Sequence, residues 1–187
     1  MSRFLQICCC LVMAIGFFLL IQAAYIPLKA YVAQILLNIA WEKTLEDGAY
    51  HKPWPWADLH PVAEISFPKL KANFIVLNND TGSALAFGPG ANAQTIWQED
   101  SAQIISGHRD THFSILQHVN IGDQILLTSK QGSYEYQVLS QEIVDASKTK
   151  IMPMGYADHL FLVTCYPFNA IQANGNLRLF VVARKYS

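Results

Sequence analysis

Three side chains in this sequence could together run an acyl transfer: one thiol, one imidazole and one guanidinium. Cys165 closes the apolar run Leu160-Phe161-Leu162-Val163-Thr164. His108 follows Ile104-Ile105-Ser106-Gly107, and Arg178 stands near the start of Leu177-Arg178-Leu179-Phe180-Val181-Val182. In the first two, an apolar run delivers a polar residue at its end, where a strand leaves the core at a cleft on a rigid scaffold. A thiol attacks a carbonyl only as thiolate, and a nearby imidazole or cation stabilises that anion. Imidazolium can protonate a departing amine near neutral pH. A tetrahedral oxyanion needs fixed donors, and a guanidinium presents several in a rigid fork.

Each residue also has a plainer reading. Cys8, Cys9 and Cys10 lie in an apolar N-terminal segment, so Cys165 is the lone thiol of the rest of the chain. A lone Cys in an exported domain is a candidate reactive group, yet free Cys is often just a small buried hydrophobe. On its strand Arg178 alternates with Leu177, Leu179 and Val181 and shares a face with Phe180 and Val182. An arginine among apolar neighbours needs a role, and pairing with a carboxylate at a barrel rim would also supply one. The residue pattern leaves both open. His108 and His112 have the i, i+4 spacing of a zinc helix. Arg109, however, stands beside them where a metalloprotease has its Glu base, and a dication would repel it. His51, His60, His118 and His159 have no motif around them, and no acidic cluster points to calcium.

The elements that would position these residues are mostly strands. Tyr134, Tyr136 and Val138 alternate with Glu135 and Gln137, the period of a half-buried strand. The same reading predicts strands at 63–67, 74–77, 85–88, 102–106, 123–129, 133–144, 160–165 and 177–184. Gln131-Gly132 and Asn174-Gly175-Asn176 are turn signals. The unbroken apolar run Leu160–Val163 predicts a strand buried on both faces. A short helix is expected over 111–118. Closely spaced short strands point to a closed barrel or sandwich, all-β in class, with no repeat and no second domain.

The N-terminus is different in kind. The chain is 52% hydrophobic and 14% charged, and the apolar excess is concentrated there. No residue from Phe4 to Leu28 is charged, which exceeds the roughly 20 apolar residues that span a bilayer as a helix. Arg3 before the segment and Lys29 after it favour a cytoplasmic N-terminus only weakly. A cleaved signal ending near Ala23 is the alternative. Residues 29–46 predict an amphipathic helix with Val32, Ile35, Leu36, Ile39 and Ala40 on one stripe and Trp41 suited to a membrane interface. Asp47-Gly48 ends it. The stretch Lys52-Pro53-Trp54-Pro55-Trp56-Ala57-Asp58 is then extended because of its prolines, with both Trp residues packing on the domain surface. The expected division is anchor 1–28, helix and linker 29–60, and β domain 61–187. A net charge of −1 gives no electrostatic reason for a nucleic-acid partner.

The motif segments resemble the sortase family of cysteine transpeptidases. The resemblance rests on Leu160–Cys165, on Ser106-Gly107-His108-Arg109, and on Asn176-Leu177-Arg178-Leu179-Phe180-Val181-Val182. It extends through Ile65-Ser66-Phe67-Pro68-Lys69-Leu70, Phe87-Gly88-Pro89-Gly90 and Gly122-Asp123, covering about residues 60–187. Trp54-Pro55-Trp56 before the barrel is similar to the branch found in Gram-negative bacteria. The middle of the nucleophile motif, Phe161-Leu162-Val163, departs from the commonest form but stays apolar. The resemblance implies an eight-stranded barrel with short helices, held by a single-pass anchor in the inner (cytoplasmic) membrane with its catalytic domain in the periplasm. It implies Cys165 as nucleophile, His108 as proton carrier and Arg178 as oxyanion stabiliser, with Thr164 in support, at one mouth of the barrel. The substrate would be an exported protein with a C-terminal sorting signal similar to Leu-Pro-x-Thr-Gly. The acceptor would be an amine of unspecified identity, and the chemistry requires no metal or organic cofactor. The pocket reading the signal would involve residues 145–153 and 84–104. An L,D-transpeptidase also combines Cys, His and Arg, but puts His-Gly directly before its Cys, where this chain has Val163-Thr164. A membrane-tethered β module with an unreactive thiol is the non-enzymatic alternative.

Overall fold

The computed structural model describes residues 3–97, 101–148, 155–170 and 175–186. The chain forms two compact units, one ending at Leu36 and the other beginning at Leu37. Helix α1 runs from Arg3 to Asp47 without interruption and contains Pro27. The apolar segment and the helix expected after it are therefore one element. It is long and apolar enough to cross a membrane, with a mean hydropathy of 2.3 in its most apolar window. Side chains such as Leu11, Phe17 and Leu20 stand exposed.

In the second unit, the end of α1 buries Leu37, Ala40, Trp41 and Thr44. This is a different stripe from the expected one. Ile35 and Ile39 are exposed, and Trp41 is only 3% exposed instead of lying at an interface. The apolar period admits two registers around the helix, and packing selects the one that starts at Leu37. Leu37 and Trp41 join Leu59, Ile75, Leu77 and Ala84 in a small second core. Gly48, with φ of 74°, stops the helix in a conformation that costs glycine little. Trp54 then meets Phe87 edge to face with ring centroids 5.3 Å apart. Trp56 is 79% exposed, contrary to the expectation that both tryptophans pack.

Eight strands close a barrel. They are β1 (Pro61–Phe67), β2 (Ala72–Leu77), β3 (Gly90–Ala91), β4 (Gln103–Ser106), β5 (Gln124–Ser129), β6 (Gly132–Asp145), β7 (His159–Cys165) and β8 (Leu177–Lys185), and the order around the barrel is β1-β2-β3-β4-β7-β8-β6-β5. The all-β barrel expectation stands. The strand expected at 85–88 does not form: helix α2 (Gly82–Leu85) and a turn occupy that stretch. Four apolar residues cannot by themselves separate strand from helix. The two-residue β3, in contrast, has too few positions to show any period. Residues 112–118 form a 3-10 helix. The β5–β6 hairpin turns at Gln131-Gly132, where Gly132 has φ of 144°. Of the turn expected at 174–176, Asn174 lies outside the described residues.

The interior is filled by alternate residues of every long strand, among them Ile65, Val76, Ile105, Leu127, Val138, Leu162 and Val181, with Phe113 and Leu116 from the 3-10 helix. β7 shows the alternation plainly. Leu160, Leu162 and Thr164 are buried, while His159, Phe161, Val163 and Cys165 are half-buried. β7 is therefore fully buried on one face and half-buried on the other.

Candidate functional site

Two pairings set the geometry. β4 runs parallel to β7, with Ile104 opposite Phe161, Ile105 opposite Leu162 and Ser106 opposite Val163. β8 runs antiparallel to β7, with Val163 opposite Phe180, Thr164 opposite Leu179 and Cys165 opposite Arg178. Directly opposed residues point to the same face. Cys165 and Arg178 therefore share the outer face, as do Val163 with Phe180 and Phe161 with Val182. The Tyr166 amide donates to the Leu177 carbonyl at 3.0 Å. This hydrogen-bonded neighbour makes Cys165–Arg178 the narrow, non-hydrogen-bonded kind of pair, in which Cα atoms stand about 4.5 Å apart.

The β4–β7 ladder runs one step past β4. The Gly107 amide donates to the Val163 carbonyl at 3.0 Å, and Thr164 Oγ1 donates to the Gly107 carbonyl at 2.7 Å from a buried position. Continuing the register places His108 beside Cys165. Its face follows from alternation: Ser106 is half-buried, Gly107 buried and His108 exposed. The register thus sets Cys165 opposite Arg178, with His108 two residues past the end of β4, the strand on the other side of β7. Cys165 and Arg178 lie on the outer wall near the strand ends, because Thr164, not Cys165, is the residue that points inward. Below them, Ile104, Phe161, Val163, Phe180 and Val182 form an apolar floor on the same face.

Gly107 is required by packing. A Cβ there would lie 2.6 Å from Cγ of the Phe113 ring, and Phe113 is 0% exposed. The His108 carbonyl accepts the Phe113 amide at 3.1 Å and the Thr111 amide at 3.4 Å, which turns the chain into the 3-10 helix. Arg178 is half-buried on the outer wall, and among the described residues no carboxylate holds it. Its Nη1 donates to the carbonyls of Gly175 at 2.6 Å and Leu177 at 2.9 Å. Among the described residues Nε and Nη2 remain uncommitted and can face a bound anion.

His108 and His112 do not lie on one helix, since the 3-10 helix begins at His112. Among the described residues, no three His, Cys, Asp or Glu side chains group as metal ligands. His112 packs edge-on against Phe74 with centroids 5.7 Å apart. Burial first, and then the neighbouring His108, push its pKa below the ordinary imidazole value. Burial, followed by Lys52 and Lys130, does the same to His60. The unfolded chain therefore takes up protons on these groups before the folded chain does. Stability from them is intact above the unfolded value and is lost as pH falls below about 6.5. We expect Tm to drop between pH 7.5 and 5.5, and the drop to shrink in a His112→Phe variant. Differential scanning fluorimetry across that range measures both.

The sequence gives Arg109 no role beyond its place in the Ser106–Arg109 segment and its repulsion of a dication, yet the structure bonds it extensively near the site. It is 6% exposed. Nη1 donates to the Pro167 carbonyl at 2.9 Å, Nη2 to the Ala170 carbonyl at 2.8 Å, and Nε faces Asp110 Oδ1 at 3.3 Å. The signal was present: alternation carried on from β4 turns residue 109 inward, where an arginine needs partners. Of the segment expected to read a substrate, residues 149–153 lie outside the described residues. The other expected segment, 84–104, of which residues 98–100 lie outside the described residues, includes β3, which pairs with β4.

Known proteins share this fold. Sortase D of Bacillus subtilis (strain 168) is 30% identical over 109 residues, a match spanning 57% of this chain and 55% of that protein. Sortase A from Corynebacterium diphtheriae superposes with a TM-score of 0.61 at 25% identity, covering 71% of this chain and 63% of that one. Sortase C1 of Streptococcus agalactiae shares the fold, with a TM-score of 0.59 at 20% identity over 68% of each chain. These relatives come from Gram-positive bacteria and do not themselves show the Gram-negative branch suggested by Trp54-Pro55-Trp56. The family model for the Sortase domain matches residues 65–186, from β1 through β8, and takes in His108, Cys165 and Arg178. With the family model matching from β1 through β8 and the barrel superposing on a solved sortase, this chain belongs to the sortase family.

Proposed function

We propose that the protein is a cysteine transpeptidase that cuts a Leu-Pro-x-Thr-Gly-like sorting signal on an exported protein and transfers the acyl group to an amine. The observation that carries this reading is the register that sets Cys165 of β7 opposite Arg178 of β8, with the end of β4, two residues before His108, paired to Val163 on the other side of β7. The Cys165 thiolate attacks the scissile carbonyl while the oxyanion forms against the uncommitted donors of Arg178. His108, protonated, gives its proton to the departing amine. The thioester on Cys165 then meets the incoming amine, His108 takes that amine's proton, and the new amide leaves the sulfur as thiolate. Thr164 supports the site by holding Gly107, and through it His108, against β7. The apolar floor suits the apolar residues of the signal that precede the cut.

In this reading residues 1–28 anchor the protein in the inner membrane, residues 29–60 link, and residues 61–187 form the catalytic barrel on the periplasmic side. Trp54-Pro55-Trp56 is the feature that favours the Gram-negative branch. The test is intact-protein mass spectrometry after incubation with a library of sorting peptides. A mass gain on Cys165 equal to the N-terminal fragment, discharged by added amine, supports the reading. A mass gain on no residue rejects it. Arg178→Ala is expected to lower kcat by about 10²–10³, as loss of one oxyanion donor does, with a much smaller change in KM. Arg178→Lys should not restore the rate, because a point charge cannot reproduce the fork. Steady-state kinetics on a quenched-fluorescence peptide measure both.

A further inference from the structure

Arg109 is a buried cation that the proposed chemistry does not use. His108 itself lies past the end of β4 and is exposed, so regular strand pairing does not hold it from its far side. Gly107 is fixed to β7 from the near side. Beyond His108, the next fixed point is the Arg109 guanidinium, which spans the carbonyls of Pro167 at 2.9 Å and Ala170 at 2.8 Å. Those carbonyls belong to the loop that begins directly after Cys165. One planar fork thus joins the residue after the imidazole to the loop after the thiol. A guanidinium suits the task because it keeps its charge when buried and directs two donors at once, which an ammonium cannot do.

We propose that Arg109 is a positioning residue that locks the His108 turn to the loop Tyr166–Ala170, so that proton carrier and thioester-bearing strand end hold a constant separation through both half-reactions. This inference rests on the catalytic reading above. If it holds, the cost of losing Arg109 falls on proton transfer rather than on peptide binding or thiol access. A misplacement of about 1 Å at a reacting group costs roughly 10²-fold in rate.

The experiment uses the full chain in detergent micelles, as wild type, Arg109→Lys and Arg109→Met. Single-turnover acylation by a sorting peptide, modification of Cys165 by a small methanethiosulfonate, and the His108 imidazole resonances across pH are read for each. In Arg109→Met we expect acylation to slow by roughly 10–100-fold. KM for the peptide and the methanethiosulfonate rate should stay within about twofold, as for a change that spares binding. The His108 resonances should shift and titrate with a changed midpoint. Arg109→Lys, which keeps the charge and is the gentler change, should recover only part of the rate. An unchanged acylation rate, or modification of Cys165 slowing in step with acylation, overturns the proposal; the second result would mark a general distortion. If wild type forms no thioester with any peptide, the catalytic reading fails. The His108 resonances of substrate-free protein then still decide, and identical spectra in wild type and both variants would overturn the lock.

Discussion

Cys165→Ala should be inert in transpeptidation, with kcat lower by at least ~10⁴-fold, while the protein melts where wild type does. Removing the nucleophile of a covalent mechanism costs on the order of 10⁴–10⁶ in rate. The fold should not notice the change. Cys165 is half-buried on the outer wall, whereas the inward position beside it belongs to Thr164. Substitutions at such positions usually stay within about 0.5 kcal/mol. The pairing of lost turnover with a retained Tm separates this protein from a tethered binding module, in which the same variant would keep its function. Rate assays and thermal melts on one preparation make the comparison. A variant retaining a tenth of wild-type turnover would remove the thiol from the mechanism.

Gly107→Ala should damage stability and activity together. The added methyl would stand 2.6 Å from a ring carbon of Phe113, and that ring is fully enclosed in the main core. Overpacking of this kind costs about 1–3 kcal/mol. Relief requires moving either the ring or the backbone of Gly107. The backbone is held by the hydrogen bond its amide donates to the Val163 carbonyl and by the one its carbonyl accepts from Thr164 Oγ1, so the strain passes to His108, the next residue. We expect a fall of several degrees in Tm and roughly 10²-fold slower acylation, in line with a displacement of the proton carrier of about 1 Å. Methanethiosulfonate should still reach Cys165 at the wild-type rate. A Gly107→Ala protein with full activity and an unchanged melting curve would show that the Phe113 ring yields freely.

The sequence made the site legible before the barrel that holds it. His108, Cys165 and Arg178 each close or open an apolar run, and a run ending in one polar residue is a local pattern that needs no tertiary information. Long strands such as β6 were legible for the same reason, since fourteen residues leave ample room for a period of two. What could not be read depended on contacts between distant segments. Trp41 has the composition of an interface residue, yet Leu59 and Ile75 from elsewhere in the chain enclose it. Phe161 and Val163 look as apolar as Leu160 and Leu162, and only the closure of the barrel decides which pair faces the core and which is left half-buried on the outside. β3 owes its existence to its neighbours β2 and β4. The partners of Arg109 lie 58 and 61 residues further along the chain, where no spacing rule reaches.

The position of β8 has a consequence for the timing of activity. β8 is the last strand in chain order, and it fills the gap between β6 and β7. Until it docks, β6 and β7 are raw edges, and Cys165 has no Arg178 opposite it. Under the proposed mechanism a barrel without its last strand therefore also lacks the oxyanion donor, so that barrel closure and completion of the candidate site are one event.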